Sequence, residues 1–364
     1  MVMSTENHVA AAAAQFKIRG EFSGAEPYGN GHINDTYRAV FIEAGVPVHY
    51  VLQRINHNVF KNPVALMENI QRVTSHLASQ VAGEPDSARR TLTLIPARDG
   101  KVWHLDAEAG YWRAYNFIEG ARTYDAVEST NQAFQAASAF GRFQKLLAGL
   151  PAPRLNDTIP DFHNTPKRFE TLEQAIAADA AGRAILARPE IEFALAHRSI
   201  TGVLLNANLP ERVTHNDTKL NNVMIDDATG VGICVIDLDT VMPGLALYDF
   251  GDMVRTTTSP APEDEQDLSK VTMQFPMFEA LVRGYLAEAG GFLTQEEKKF
   301  LAFSGKVITF EIGIRFLADY LAGDKYFKVH REGHNLDRCR TQFKLVESIE
   351  QQEEKMNKLV ESIA

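Results

Sequence analysis

The apolar residues of this chain change their spacing once, near residues 117–121. Before that point, apolar and polar residues alternate in short stretches bounded by Gly, Asn and Pro, which is typical of strands. Apart from an alanine-rich start at residues 7–16, one helical pattern interrupts them, at residues 64–81. The predicted strands are residues 18–28, 33–42, 48–55, 92–96, 102–105 and 111–117.

Long helical patterns dominate the sequence after residue 120. They cover residues 133–150, 166–181, 190–205, 277–289, 295–320 and 341–363. Two short strand patterns, residues 223–225 and 232–236, interrupt them. The sequence therefore predicts an α+β fold with two lobes. We expect a small β-rich lobe over residues 1–118 and a larger helical lobe over residues 119–364.

Composition narrows the possible partners. Of the 364 residues, 45% are hydrophobic, enough for a core, and the net charge of −10 argues against nucleic acid or an anionic membrane as partner. Cys234 and Cys339 are too few for a disulfide framework, and Cys234 is expected to be a buried free thiol. We find no signal-peptide pattern and no apolar run near about 18 residues, so we expect a cytoplasmic protein.

The strongest chemical signal is His215-Asn216-Asp217, followed after four residues by Asn222. Phosphoryl transfer needs a carboxylate that accepts the proton of the attacking hydroxyl, and oxygen ligands for the magnesium that neutralises the phosphates. An Asp and an Asn at this spacing can supply both. The motif predicts Asp217 as general base and Asn222 as a metal ligand, although so short a pattern recurs by chance.

A second acidic motif strengthens this interpretation. The apolar pattern at residues 232–236 ends in Asp237-Leu238-Asp239, 20 residues after Asp217. That interval accommodates a β-hairpin with its turn at Asp226-Asp227, which would bring Asp237 beside Asn222. Both residues could then bind magnesium, whereas the plainer alternative is that Asp217 and Asp237 only cap turns.

A further triplet, Asp249-Phe250-Gly251, spells the metal motif of protein kinases. No strand pattern leads into it, and it lies 32 residues after Asp217. We interpret residues 248–252 as the start of a helix. In this helix Asp249 or Asp252 would cap or brace the predicted catalytic loop, residues 214–222.

A glycine-containing turn lies between the first two predicted strands. Gly29 and Gly31 would let backbone N–H groups approach phosphates, and Asn34 and Thr36 add polar side chains. No Walker A loop occurs.

The strand that carries a lysine in most kinase lobes instead contains Gln53-Arg54. Either Gln53 contacts the nucleotide as a neutral donor, or Arg54 reaches it from the other face of the strand.

Together these motifs resemble the aminoglycoside phosphotransferase and choline kinase-like superfamily, and more closely its bacterial N-acetylhexosamine 1-kinases. The similarity extends over nearly the whole chain. It is carried by residues 26–34, Tyr115 with residues 117–119, residues 213–222, residues 236–244, residues 315–320 and 324–327, and residues 332–340.

The resemblance implies a two-lobed protein-kinase-like fold and transfer of the γ-phosphoryl group of ATP to the anomeric hydroxyl of N-acetylglucosamine or N-acetylgalactosamine. Asp217 would be the base, and Asn222 and Asp237 would hold Mg²⁺. The N-terminal lobe would bind the nucleotide through the glycine turn and Gln53, with adenine at the hinge formed by Phe117, Ile118 and Glu119. The implied sugar-binding residues are His32, Ile33, Asp239, Arg315 and Tyr326.

Two other functions fit the same motifs. One is a kinase for another small alcohol, such as an aminoglycoside, choline or homoserine. The other is a catalytically silent nucleotide-binding module, which the missing strand lysine would suit. The expected partners are ATP and a small sugar, with the protein a monomer or weak homodimer. The apolar stripe of the last helix (Leu345, Ile349, Met356 and Val360) either packs on its own lobe or mediates dimerisation.

Overall fold

The computed structural model describes residues 5–29 and 33–363. Its N-terminal lobe is built on a five-stranded antiparallel sheet with the order β1-β2-β3-β5-β4. The elements of this lobe are α1 (Thr5–Ala13), β1 (Glu21–Pro27), β2 (Asp35–Glu43), β3 (Val46–Ile55), α2 (Pro63–Val81), β4 (His104–Leu105) and β5 (Tyr111–Asn116).

The two faces of this sheet have different neighbours. Ala39, Leu52 and Trp112 lie on one face and form a small core with Val9 and Phe16, from α1 and the segment after it. Because side chains alternate along a strand, the residues between them face the opposite way, towards the C-terminal lobe.

Helix α2 begins as its sequence dictates. The Asn62 side chain caps it by accepting from the backbone N–H of Ala65 at 3.1 Å, and Pro63 occupies the first turn, where its missing N–H costs nothing. The buried stripe of α2, which includes Met67 and Ile70, joins the main core of the C-terminal lobe.

The C-terminal lobe is mainly helical, with two small β-ribbons next to the catalytic loop. Its first half contains β6 (Ala121–Arg122), α3 (Thr130–Leu147), α4 (Thr165–Ala178), α5 (Arg188–Ala196), α6 (Val203–Asn206), β7 (Arg212–Thr214), β8 (Val223–Asp226) and β9 (Gly232–Val235). Its second half contains β10 (Met242–Gly244), α7 (Ala246–Thr257), α8 (Phe275–Ala289), α9 (Gln295–Lys299), α10 (Leu301–Ala322), α11 (His334–Glu350) and α12 (Glu353–Ile363).

Helices α3 and α8 pack closely because glycines lie at their contact. A Cβ atom on Gly141 would stand 2.8 Å from the carbonyl oxygen of Tyr285, and one on Gly284 would collide with the backbone of Phe134. This close approach fixes α3, whose Phe140 and Phe143 contact the catalytic-loop residue His215.

The fold class agrees with the sequence prediction, but several element boundaries do not. The predicted strand at 92–96 is reduced to an isolated bridge at Leu94, and the predicted helices at 190–205 and 295–320 are each divided. The last apolar stripe is buried within the chain's own lobe, with Met356 fully buried. Both cysteines are buried free thiols, and no helix of the described residues is long and apolar enough to cross a membrane.

Candidate active site

Helix α7 braces the catalytic loop through two of its carboxylates. The buried carboxylate of Asp249 accepts from the backbone N–H groups of His215 and Asn216, at 2.9 and 2.7 Å. Asp252, one turn later, accepts from the backbone N–H of Thr218 at 2.9 Å. The prediction that Asp249 or Asp252 braces the loop agrees with these contacts, which both residues make.

Asp217 projects from this braced loop with its carboxylate held on two sides. Its backbone carbonyl and Oδ2 accept from the Asn222 side-chain amide at 2.8 and 3.2 Å, and Lys219 Nζ lies 2.7 Å from Oδ1. Desolvation would raise the pKa of Asp217, but Lys219 and then His215 outweigh it and leave the pKa below its ordinary value. The carboxylate is therefore ionised near neutral pH, as a proton acceptor must be.

The β8–β9 hairpin brings the two predicted metal ligands together. Val223 pairs with Val235, and the backbone N–H of Ile236 donates to the Asn222 carbonyl at 2.9 Å, so Asp237 follows directly beside Asn222. The hairpin predicted from the 20-residue spacing is thus present. Asp237 adopts a left-handed backbone conformation, with φ 57°.

The donor set fits a magnesium ion. The Asn222 amide nitrogen is turned to Asp217, which leaves its carbonyl oxygen for a cation. Asp237 is exposed to solvent, yet the surrounding protein desolvates its carboxyl group. This desolvation, and then the negative charges of Asp239 and Asp217, raise the pKa of Asp237 to about 6. A divalent cation at Asn222 and Asp237 would relieve this crowding of carboxylates.

Asp239 has partners in the N-terminal lobe. Arg113 of β5 forms a buried ion pair with its Oδ1, and the Asn34 side chain donates to Oδ2 at 2.6 Å. Sequence reasoning assigned Asp239 to the sugar and Asn34 to the nucleotide, but in this structure they contact each other. Arg113 was missed altogether, because the motif searches did not single out an arginine inside a strand pattern.

Residues Gln53 and Arg54 lie on opposite faces of β3, as alternation requires. Gln53 is on the face towards the C-terminal lobe, where it donates to Thr36 Oγ1 at 2.9 Å and accepts from Arg113 Nε at 2.9 Å. Arg54 pairs in register with Trp112, on the α1 face, and its guanidinium reaches Gly110. Of the two residues, only Gln53 lies on the face towards the C-terminal lobe.

The hinge and the glycine turn approach each other at aromatic rings. The Tyr28 and Phe117 ring centroids are 5.5 Å apart, and His49 Nδ1 lies 2.6 Å from a Glu119 carboxylate oxygen. Gly29 has φ +78°, which favours glycine, while the predicted contacts Gly31 and His32 lie outside the described residues.

The hinge residue Ile118 packs with a small apolar group of side chains from β6 and the β8–β9 hairpin, which is suited to the face of a planar base. That group consists of Ala121, Met224 and Cys234. The Arg89 side chain donates hydrogen bonds to the backbone carbonyls of Glu119 and Gly120, at 3.0 and 2.9 Å.

Comparison with known proteins agrees with this geometry. Residues 24–290 match the APH phosphotransferase enzyme family. The chain belongs to this phosphotransferase family. The matched segment includes Gly29, Asp217 and Asp237.

Solved structures with the same fold include an aminoglycoside phosphotransferase from Alicyclobacillus acidocaldarius, with 11% identity, 100% and 98% coverage of the two chains and a TM-score of 0.66. A spectinomycin phosphotransferase bound to ADP and spectinomycin has 13% identity, 97% and 100% coverage and a TM-score of 0.58. A microcompartment-associated aminopropanol kinase has 16% identity, 96% and 98% coverage and a TM-score of 0.57. At these identities the similarity establishes the kinase-like fold.

Arg315, the predicted sugar contact on α10, lies near two aromatic rings. Its guanidinium is 5.3 Å from the ring centroid of Phe162 and 5.7 Å from that of Phe327. Tyr326 is 66% exposed, and its loop is shaped by Asp319, which accepts from the Tyr326 backbone N–H at 2.8 Å. Ile33, at the glycine turn, is also exposed.

A cavity of about 310 Å³ borders the catalytic loop at Asn216. Its walls include Phe162, whose ring also contacts Arg315, but neither Arg315 nor Tyr326 lines it. Asp157, Asp161 and Glu211 also line it, and each is paired with a cation, Arg154 or Lys167. Because Arg154 is shared by Asp157 and Glu211, these three carboxylates are paired with only two cations.

Proposed function

We propose that this phosphotransferase moves the γ-phosphoryl group of ATP to the anomeric hydroxyl of N-acetylglucosamine or N-acetylgalactosamine and releases the sugar 1-phosphate. The observation that carries the proposal is the convergence of Asp217, Asn222 and Asp237. One ionised carboxylate stands beside an amide oxygen and a second carboxylate that are arranged for a cation.

In this proposal each residue has a distinct task. Asp217 orients the acceptor hydroxyl and takes its proton as the oxygen becomes phosphorylated. Asn222 and Asp237 would hold Mg²⁺, which supplies charge neutralisation at the phosphates when it is bound. Lys219, which sequence reasoning did not single out, keeps Asp217 ionised and is 43% exposed, so it can also reach the transferred group.

One observation favours a neutral sugar over a cationic acceptor. Arg315 is half-buried between aromatic rings, where it can donate to sugar hydroxyl or acetamido oxygens but would repel a cation. The assignment of Arg315 and Tyr326 to the sugar rests on the family resemblance.

Phosphorus NMR would test the proposal most directly. The protein is incubated with ATP, magnesium and, separately, N-acetylglucosamine, N-acetylgalactosamine, choline, aminopropanol and spectinomycin. We expect a sugar 1-phosphate signal from at least one hexosamine and a slower reaction with the cationic acceptors. The absence of phosphosugar from both hexosamines would refute the proposal, and a faster reaction with an amino alcohol would favour the alternative.

The Asp217→Asn variant tests the assignment of the base. Removing a general base typically lowers the rate about 10²- to 10⁴-fold, so we expect a loss of that order in kcat with the fold intact. Asp227→Asn, at the tip of the same β8–β9 hairpin, is the matched control and should retain wild-type activity. An Asp217→Asn rate within about threefold of wild type would exclude Asp217 as the base.

A further inference from the structure

Strand β3 has no lysine of the kind that a kinase sheet ordinarily presents to the phosphates of its nucleotide. Gln53 stands where that lysine is expected, and Arg54 faces α1. The exposed cation beside Asp217, Lys219, belongs to the C-terminal lobe. A triphosphate bound between the lobes would still need a partner from the sheet.

We infer that Arg113 is this partner, a phosphate-holding arginine moved one strand across from the usual lysine position. The inference rests on the proposed function only in taking ATP as the phosphoryl donor. Arg113 is the cross-strand neighbour of Gln53, so the two side chains share one face of the sheet. Hydrogen bonds link Arg113 to Gln53 and Gln53 to Thr36, which joins three adjacent strands in one row.

Its carboxylate partner supports the same role. In protein kinases the strand lysine is held ready by an ion pair with a helix glutamate. Here Arg113 is held by Asp239, and the two side chains are 1% and 3% exposed. Asp239 lies two residues after the proposed metal ligand Asp237, so the pair places positive charge close to the site where the phosphates would be neutralised.

The Arg113 guanidinium has more N–H donors than its contacts with Gln53 and Asp239 use. An arginine carries five N–H donors in a planar fork, which suits phosphate oxygens. Nε donates to Gln53 and Nη1 to Asp239, while no acceptor among residues 5–29 and 33–363 is hydrogen-bonded to Nη2. An anionic oxygen that reaches this side chain, which is 1% exposed, can therefore bind Nη2 without breaking either existing contact.

Titration calorimetry with MgATP and with adenosine separates this role from a merely structural ion pair. A charged hydrogen bond is lost in Arg113→Gln, so its MgATP affinity should fall about 10- to 100-fold while adenosine binding stays within about twofold. Adding Gln53→Lys should restore MgATP affinity to within about fivefold, because the cation returns to the neighbouring strand. The matched control, Arg54→Gln on the other face, should bind both ligands as wild type does.

Two results would overturn the inference: equal weakening of MgATP and adenosine by Arg113→Gln, or unchanged MgATP affinity. If the unpaired Asp239 prevents folding, the double variant Arg113→Gln/Asp239→Asn removes both charges. This double variant should still lose MgATP affinity while adenosine binding is unchanged, and retained MgATP affinity would refute the role of Arg113. No sugar is present in these titrations, so their outcome is independent of whether hexosamines are the acceptors.

Discussion

Replacing Asp249 by Asn should loosen the catalytic loop without touching any reacting group. The carboxylate is fully buried and accepts from the backbone N–H groups of His215 and Asn216 and from the Gln144 side chain, at 2.9, 2.7 and 2.5 Å. An amide has one accepting oxygen, so at least one of these buried donors loses its acceptor.

The magnitude follows from those contacts. A buried N–H left unpaired costs about 1–3 kcal/mol, and weakening the remaining charge-assisted bonds adds about 1 kcal/mol. Burial raises the pKa of Asp249, which shows that its charge is itself unfavourable there, and the neutral amide recovers part of the loss. We expect a net decrease of about 2 kcal/mol in the free energy of unfolding.

Urea unfolding and amide hydrogen exchange measure the two consequences separately. Exchange at His215 and Asn216 should accelerate, and misplacement of Asp217 should lower kcat about 100-fold. Asp106→Asn is the control, since it removes a hydrogen-bonded carboxylate from the N-terminal lobe, away from the loop. Unchanged exchange at both amides, or the same loss of kcat in the control, would show that Asp249 does not hold the loop.

Two further predictions concern stability. Desolvation would raise the pKa of Asp106, but hydrogen bonds from Trp112, Gly110 and His8 outweigh it and lower the pKa to about 2. The Asp106 carboxylate therefore stabilises the fold above its ordinary pKa, and this stabilisation is lost as pH falls from about 4 to about 2. Asp106→Asn should therefore cost at most about 2 kcal/mol at pH 7, with a smaller difference from wild type in urea unfolding towards pH 2. Gly284→Ala should lower the unfolding free energy by about 1–3 kcal/mol, because its methyl group meets the Phe134 backbone; an unchanged urea midpoint would contradict the close α3–α8 packing.

Local sequence signals predicted the parts of the site that depend on short-range geometry. Asp217, Asn222 and Asp237 belong to one loop and one hairpin, so their spacing along the chain determines their spacing in space. The same holds for Asp249, which lies in the first turn of α7 as predicted, although the short strand β10 before this helix was not predicted. Helix α2 was likewise located nearly to its ends by its apolar stripe.

Long-range pairing could not be predicted in this way. The role inferred for Arg113 depends on the pairing of β5 with β3 and on its contact with Asp239, which lies 126 residues later in the chain. The helix patterns at 190–205 and 295–320 were continuous in sequence, yet the chain turns within each of them. In the second, Phe300 ends α9 and caps α10 without a proline or glycine to mark the break.

The buried pair of Arg113 and Asp239 also bears on the thermodynamics of ligand binding. It joins the sheet to the C-terminal lobe before any nucleotide arrives, and removing either partner would leave an uncompensated buried charge. The two lobes are therefore already linked by this pair before a nucleotide binds. The heat-capacity change on nucleotide binding should then be small, since it reflects only the apolar surface of the base and its pocket.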